Sequence, residues 1–278
     1  MKIGVRAHDF GRMSAPRLAK TVKDAGFGCV QLAPTKAIEG ILSFDGITRR
    51  HLEDIKKAFR DEDLEITVLG CYIEPSLPDT SERLANVNHF LDALTNAKIL
   101  GAPIVGTETT NLDIHISAAE REKRYLLLKD SVLRMAERAE REDILIGIEP
   151  VAEHTLNTPQ LTRRLLDEVN CGKLKVIFDP VNLVLPDTIH MQDQIFTEMF
   201  DLLGGDIIAM HIKDTVIENA SKAWRNIGAG VINYGLIFNW LHENKPDIRL
   251  LREGIQPDSL TQDIKAMQSL ADTPAARG

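Results

Sequence analysis

A chain of 278 residues is longer than one β-sandwich needs and ordinary for a single α/β barrel. Its 44% hydrophobic content excludes disorder, and 33 basic against 41 acidic residues leave a net charge of −8, which weighs against electrostatic binding of nucleic acid. Three cysteines, Cys29, Cys71 and Cys171, form no C-x-x-C pair and read as free thiols filling apolar surroundings in a reducing compartment.

In chain order, "MKIGVRAHDF" starts at once with a strand-like run and shows neither a long apolar signal core nor a cleavage site. No run reaches the length of a membrane span, so a soluble cytoplasmic protein with no membrane partner is expected. Short β-branched runs then recur: "KIGVRAH", "CVQLA", "ITVLGCYI", "PIVGTE", "LIGIEP", "KVIFDPVN", "IIAMHIKD" and "IRLLREG". Helical periodicity fills the stretches between them. Ser14-Ala-Pro opens the first helix, and Gly26 stands where a C-terminal glycine belongs. Ser117 with Glu120 makes a capping box, Thr158-Pro159 pairs a cap with a first-turn proline, and Asp258 or Ser259 starts the last helix.

Eight buried strands alternating with helices predict parallel βαβ units. No G-x-G-x-x-G follows the first strand, so closure into one (β/α)8 barrel spanning 1–278 is favoured over an open doubly wound sheet. The tail at 273–278, "TPAARG", is expected to fray.

The stretch "ILIGIEPVAEH" ends a buried-looking run on a carboxylate, Glu149, which is costly without a partner. The next three runs end in the same way, on Asp179, His211 and Glu253. In a barrel these ends share the catalytic mouth. Singly, each carboxylate reads as a cap or ion-pair partner, and the histidine as a core residue. Together they make a three-oxygen, one-nitrogen set suited to Mn²⁺, Mg²⁺, Co²⁺ or Zn²⁺, with Mn²⁺ the first expectation. A cation would also relieve the repulsion among three carboxylates.

"GIEP", "FDPVN", "MHIKD" and "REG", with Gly228-Ala-Gly230 after "HIKD", resemble the xylose-isomerase-like TIM barrel superfamily and its sugar phosphate isomerases and epimerases. The resemblance implies that Glu149, Asp179, His211 and Glu253 bind one divalent metal. It implies that Glu149 and Glu253 exchange protons beside a carbonyl through a metal-stabilised enediolate. The expected function is therefore isomerisation or epimerisation of a small sugar, ketose or sugar phosphate. Inosose-dehydratase-like lyase chemistry is the alternative. An endonuclease IV-like repair enzyme and a non-catalytic sugar-binding barrel rank lower. A homodimer or homotetramer is also implied.

The pattern departs from the ketose 3-epimerases at three positions: Asn182 replaces a histidine, Ile217 an arginine, and Thr155, beside His154, a glutamate. A plain 3-epimerase of free ketohexoses is therefore not expected. His8, Glu108, His154, Asn182, Lys213, Trp224 and Arg225 are the candidates for substrate contact. His154, Lys213 or Glu108 could be the acid a dehydration needs, and Trp224 and Arg225 are placed on a loop covering the mouth. Asp214 orients a neighbour or touches substrate, and Gly228 and Gly230 either offer N–H groups to an anion or serve as turn residues. His51, His89, His115, His190 and His242 read as surface or helix-packing residues.

Overall fold

In the computed structural model, residues 1–44, 46–255 and 259–272 are described. Asp258, one of the two expected helix starts, and the tail at 273–278 lie outside them.

Eight parallel strands close into a barrel: β1 (Lys2–Arg6), β2 (Cys29–Leu32), β3 (Glu65–Gly70), β4 (Ile104–Thr107), β5 (Leu145–Ile148), β6 (Leu174–Phe178), β7 (Ile207–Ile212) and β10 (Arg249–Arg252). β1 pairs with β2 on one side and β10 on the other, with Lys2 opposite Arg249. Around them run α1 (Ala15–Asp24), α2 (Pro34–Ala37), α3 (Arg49–Asp61), α4 (Thr80–Leu100), α5 (Ala118–Glu142), α6 (Pro159–Val169), α7 (Gln192–Leu203), α8 (Tyr234–Asn244) and α9 (Leu260–Asp272). This is the (β/α)8 barrel that the alternation of runs predicts.

Most helix starts lie where the caps place them. Ser117 accepts the Glu120 N–H and Thr158 the Leu161 N–H, each at 3.2 Å. Ser14 precedes α1 but makes no side-chain cap bond, so the first-turn proline and the buried face carry that start. Gly26, just past α1, has φ 98°, in the left-handed region.

One element differs from expectation. The segment read as an extended loop after the seventh strand is an antiparallel hairpin, β8 (Asp214–Glu218) and β9 (Ser221–Arg225). Its turn residues Asn219 and Ala220 have φ 49° and 58°. Such turns are usually announced by Asn-Gly, and alanine in the glycine position hides the signal.

Side-chain alternation along the strands sorts two cores. Cys29, Val68, Ile104, Ile177, Ala209 and Leu251 pack inside the barrel as a cluster of their own. Their neighbours Val30, Leu69, Val105, Phe178, Met210 and Leu250 face the helices in the larger core. The interior is crowded: a Cβ on Gly106 would lie 2.8 Å from Val68, and one on Gly147 would lie 2.8 Å from Ile177. At the strand starts, Glu65 pairs with Lys2 at 3.0 Å and Arg249 at 3.1 Å, joining the first and last barrel strands.

Candidate active site

The same alternation builds the site. Two residues beyond the inward positions Gly147, Ile177, Ala209 and Leu251 stand Glu149, Asp179, His211 and Glu253. The rule also carries Gln31, two beyond Cys29, and Glu108, two beyond Gly106, to the mouth. A run that is apolar on both faces thus ends on a charge because its last inward position emerges from packed core into the mouth.

Glu149, Asp179 and His211 are buried, and each offers a ligand atom within 4.8 Å of the others. Glu253 is outside that set but turns Oε2 to within 3.5 Å of His211 Nδ1. The same nitrogen lies 3.1 Å from Glu149 Oε2 and 3.7 Å from Asp179 Oδ2. The other oxygens are held elsewhere. Asn182 Nδ2 donates to Glu149 Oε1 at 2.7 Å. The Val181 and Asn182 N–H groups donate to Asp179 Oδ1 at 2.9 Å. Lys213 Nζ donates to Glu253 Oε1 at 2.8 Å, and Arg6 lies 3.0 Å from that oxygen.

The set fits a divalent cation. His211 Nδ1 and Asp179 Oδ2 are buried without a hydrogen-bond partner, although the Lys213 ammonium is 2.9 Å from that Asp179 oxygen. One imidazole nitrogen and up to three carboxylates form a hard-to-borderline donor set, which does not single out one metal.

Electrostatics follow from burial and crowding. Burial alone lowers the basicity of the His211 ring, but Glu149, Glu253 and Asp179 outweigh it and raise the ring to about 9. Burial pushes Glu253 up, but Lys213, His211 and Arg6 overcome this and hold it at about 2. Lys213 is likewise penalised by burial, yet Asp179, Glu253 and Glu149 raise it above the usual lysine range. Glu108 moves the other way: burial, Glu149 and Glu253 raise it to about 7.

The expected substrate contacts divide. Glu108 follows β4, and its Oε2 lies 3.9 Å from His154 Nε2. His154 joins Asn111 in a β-bridge, and burial lowers its basicity. His8 sits in a short 3-10 turn after β1 rather than at the strand end, edge-on to Tyr72. Burial and then Arg6 lower it to about 4. Asn182 braces Glu149. Lys213 is buried between Asp179 and Glu253.

Trp224 is half exposed on the hairpin, its ring centre 5.3 Å from Lys213 Nζ. Arg225 falls on the opposite hairpin face, paired with Glu218, so its expected substrate contact gains no support from this arrangement. Lys222, on the Trp224 face, donates to the Val181 carbonyl at 2.8 Å and ties the hairpin to the loop after β6.

Asp214 is an organiser. Its buried carboxylate accepts the N–H groups of Thr215, Gly228 and Gly230 at 2.8–3.0 Å, and that of Ile232 at 3.4 Å. The Gly228 and Gly230 N–H groups are therefore engaged within the chain, which decides for the turn reading over the anion seat. Gly230 is required, since a Cβ there would lie 2.0 Å from Asp214 Oδ1.

Sequence reasoning missed Arg6, Gln31 and Tyr72. Gln31 Oε1 lies 2.8 Å from His211 Nε2, and Gln31 Nε2 donates to the Tyr72 hydroxyl at 3.0 Å. The available signal was a lone amide in the otherwise apolar run "CVQLA".

A profile of the xylose isomerase-like TIM barrel matches residues 19–270. The chain belongs to that family. No curated protein sequence matches it. Among solved structures of this xylose isomerase-like shape, the chain is similar to 3-keto-D-glucoside 4-epimerase, YcjR, from E. coli, at 19% identity and TM-score 0.72, covering 97% of this chain and 98% of that one. It is similar to the "probable 3-DHS dehydratase AsbF" from Bacillus anthracis, at 17% identity and TM-score 0.73, covering 96% and 99%. A third is an IOLI protein with a bound zinc atom, at 16% identity and TM-score 0.74, covering 98% of this chain and 98% of that one. At these identities the likeness is one of fold. Among the described residues, no helix is long and apolar enough to cross a membrane.

Proposed function

We propose that this xylose isomerase-like barrel, acting as one domain, is a divalent-metal-dependent isomerase or epimerase of a small polyhydroxy carbonyl compound, a sugar, ketose or sugar phosphate. The observation that carries the reading is the pair of glutamates on either side of His211. Each has one oxygen anchored, Glu149 by Asn182 and Glu253 by Lys213 and Arg6, and the other turned to His211 Nδ1. Glu149, Asp179 and His211, with Glu253, would hold the cation. When bound, it would supply a Lewis acid that polarises the substrate carbonyl. Glu149 and Glu253 are then the groups that remove a proton from the carbon beside the carbonyl and return one to the substrate. Lys213 offsets the negative charge of the cluster, and Trp224 offers an aromatic face above it.

A second reading, dehydration, draws on Glu108. Burial favours the protonated form of Glu108 beside the mouth, and in that form it could protonate a departing hydroxyl. The structural likeness to AsbF, described as a probable dehydratase, is compatible with this branch.

The test is solvent exchange. Protein loaded with Mn²⁺ is incubated in D₂O with ketoses, ketose phosphates and inososes, and the protons beside the carbonyl are followed by NMR. Deuterium wash-in with a new stereoisomer or aldose is expected. Wash-in with loss of water would move the assignment to the lyases, and no exchange on any substrate would count against proton transfer. Glu149→Gln and Glu253→Gln should each abolish turnover; near-wild-type rate in either would sink the two-base mechanism.

A further inference from the structure

β2 contributes one buried amide to the mouth. Gln31 is 2% exposed, and a buried amide is costly unless its oxygen and nitrogen both find partners. Its oxygen lies 2.8 Å from His211 Nε2 and its nitrogen donates to Tyr72 Oη at 3.0 Å. Tyr72 is itself fixed, with the Lys36 ammonium 3.6 Å above its ring centre and His8 packed edge-on at 5.8 Å.

The two nitrogens of an imidazole are linked: what one meets determines what the other can offer. In the neutral ring, the form that binds a cation, an acceptor at Nε2 keeps the N–H there and leaves Nδ1 with a lone pair. Nδ1 is the nitrogen that faces Glu149, Glu253 and Asp179 at 3.1, 3.5 and 3.7 Å. With the amide reversed, Nε2 would have to be bare and the proton would sit on Nδ1, which could then bind no metal. A glutamine also accepts this hydrogen bond without adding a fourth carboxylate to the cluster.

We propose that Gln31 is a positioning residue: its side-chain oxygen holds the Nε2–H of His211 and so presents Nδ1 to a divalent cation. The metal half of this inference rests on the function proposed above; the hydrogen bond does not.

The test uses the full chain, stripped of metal, as wild type, Gln31→Leu, Gln31→Glu and Tyr72→Phe. Zn²⁺ affinity is measured by competition with a chromophoric chelator, and the His211 ring by ¹⁵N-edited NMR. Gln31→Leu, which cannot accept, should weaken Zn²⁺ binding about 10–100-fold, while Gln31→Glu, which can, should stay within about threefold of wild type. Wild type should show a slowly exchanging His211 Nε2–H that loses protection in Gln31→Leu.

A folded Gln31→Leu protein that binds Zn²⁺ within about twofold of wild type would overturn the proposal, as would a bare Nε2 in the Zn²⁺-loaded wild type. If Gln31→Leu does not fold, Gln31→Glu decides: retained affinity supports the role and a loss of about tenfold or more refutes it. Tyr72→Phe, which frees the amide to turn, should weaken binding by a smaller factor than Gln31→Leu, and a larger factor would shift the role to Tyr72. If wild type binds no cation, the metal reading fails by itself. Protection of Nε2–H in wild type against Gln31→Leu then still decides the contact, with equal protection overturning it.

Discussion

The two oxygens of Glu149 have different partners, and that difference separates binding from chemistry at the residue scale. Asn182 fixes Oε1 at 2.7 Å and leaves Oε2 toward His211. Removing the brace by Asn182→Ala should lower turnover about 10–100-fold, because partners behind a metal ligand set its orientation. Circular dichroism and steady-state rates would check this, and an unchanged rate would refute it. Gly147, two residues earlier, is constrained by packing. A Cβ there would press on Ile177 at 2.8 Å and Ile104 at 3.1 Å, so Gly147→Ala should destabilise the barrel by about 1–3 kcal/mol in urea unfolding. The glutamates, aspartate and histidine could be read from sequence because each ends an apolar run, where a charge is conspicuous. Arg6 and Tyr72 were not, because pairing Arg6 with Glu253, or Tyr72 with Gln31, depends on strand register and side-chain direction, which apolar runs alone do not fix. Gln31 was visible as a polar interruption, but its meaning depends on β2 facing β7 across the interior.

At the scale of elements, the hairpin and the last helix are held by different means. Asn219 and Ala220 both occupy the left-handed region, where alanine is strained by roughly 1–2 kcal/mol and glycine is not. Ala220→Gly should therefore raise the thermal midpoint, and a lower midpoint would show that the turn is not under strain. The final helix is clamped by charge: Asp263 on α9 accepts from Arg252 Nε and Nη2 at 2.9 and 2.7 Å and from the Ile227 N–H at 2.9 Å. Asp263→Ala strands a buried guanidinium and should cost about 3–5 kcal/mol, measured by denaturant unfolding. The helices themselves were well marked in the sequence, since Ser117 and Thr158 announce their caps. The hairpin was not, since its register rests on backbone bonds and a turn without glycine.

The whole molecule couples its stability to the protonation of the site. The folded pKa of His211, about 9, stands above its ordinary 6.5. Its charged form therefore stabilises the metal-free protein fully below pH 6.5, and that contribution is lost as pH rises through 9. A cation must displace the same proton, so stabilisation by Zn²⁺ should grow over the same interval. Melting curves between pH 7 and 9, with chelator and with Zn²⁺, should thus diverge, and His211→Gln should remove the divergence. Parallel curves in the wild type would contradict the assignment of His211 as the titrating ligand.

The first strand lies beside the last: Lys2 pairs with Arg249 in register, and Glu65 binds both. On a ribosome, β1 is made first and can find β2 early, but its other edge has no partner until β10 has been synthesised. At about 5–20 residues per second that wait lasts roughly ten to fifty seconds. An open strand edge on a nascent chain is a template for wrong pairing, and the barrel cannot cover it sooner by folding faster. The rate of translation, rather than the stability of the finished ring, sets how long that edge of β1 stays open.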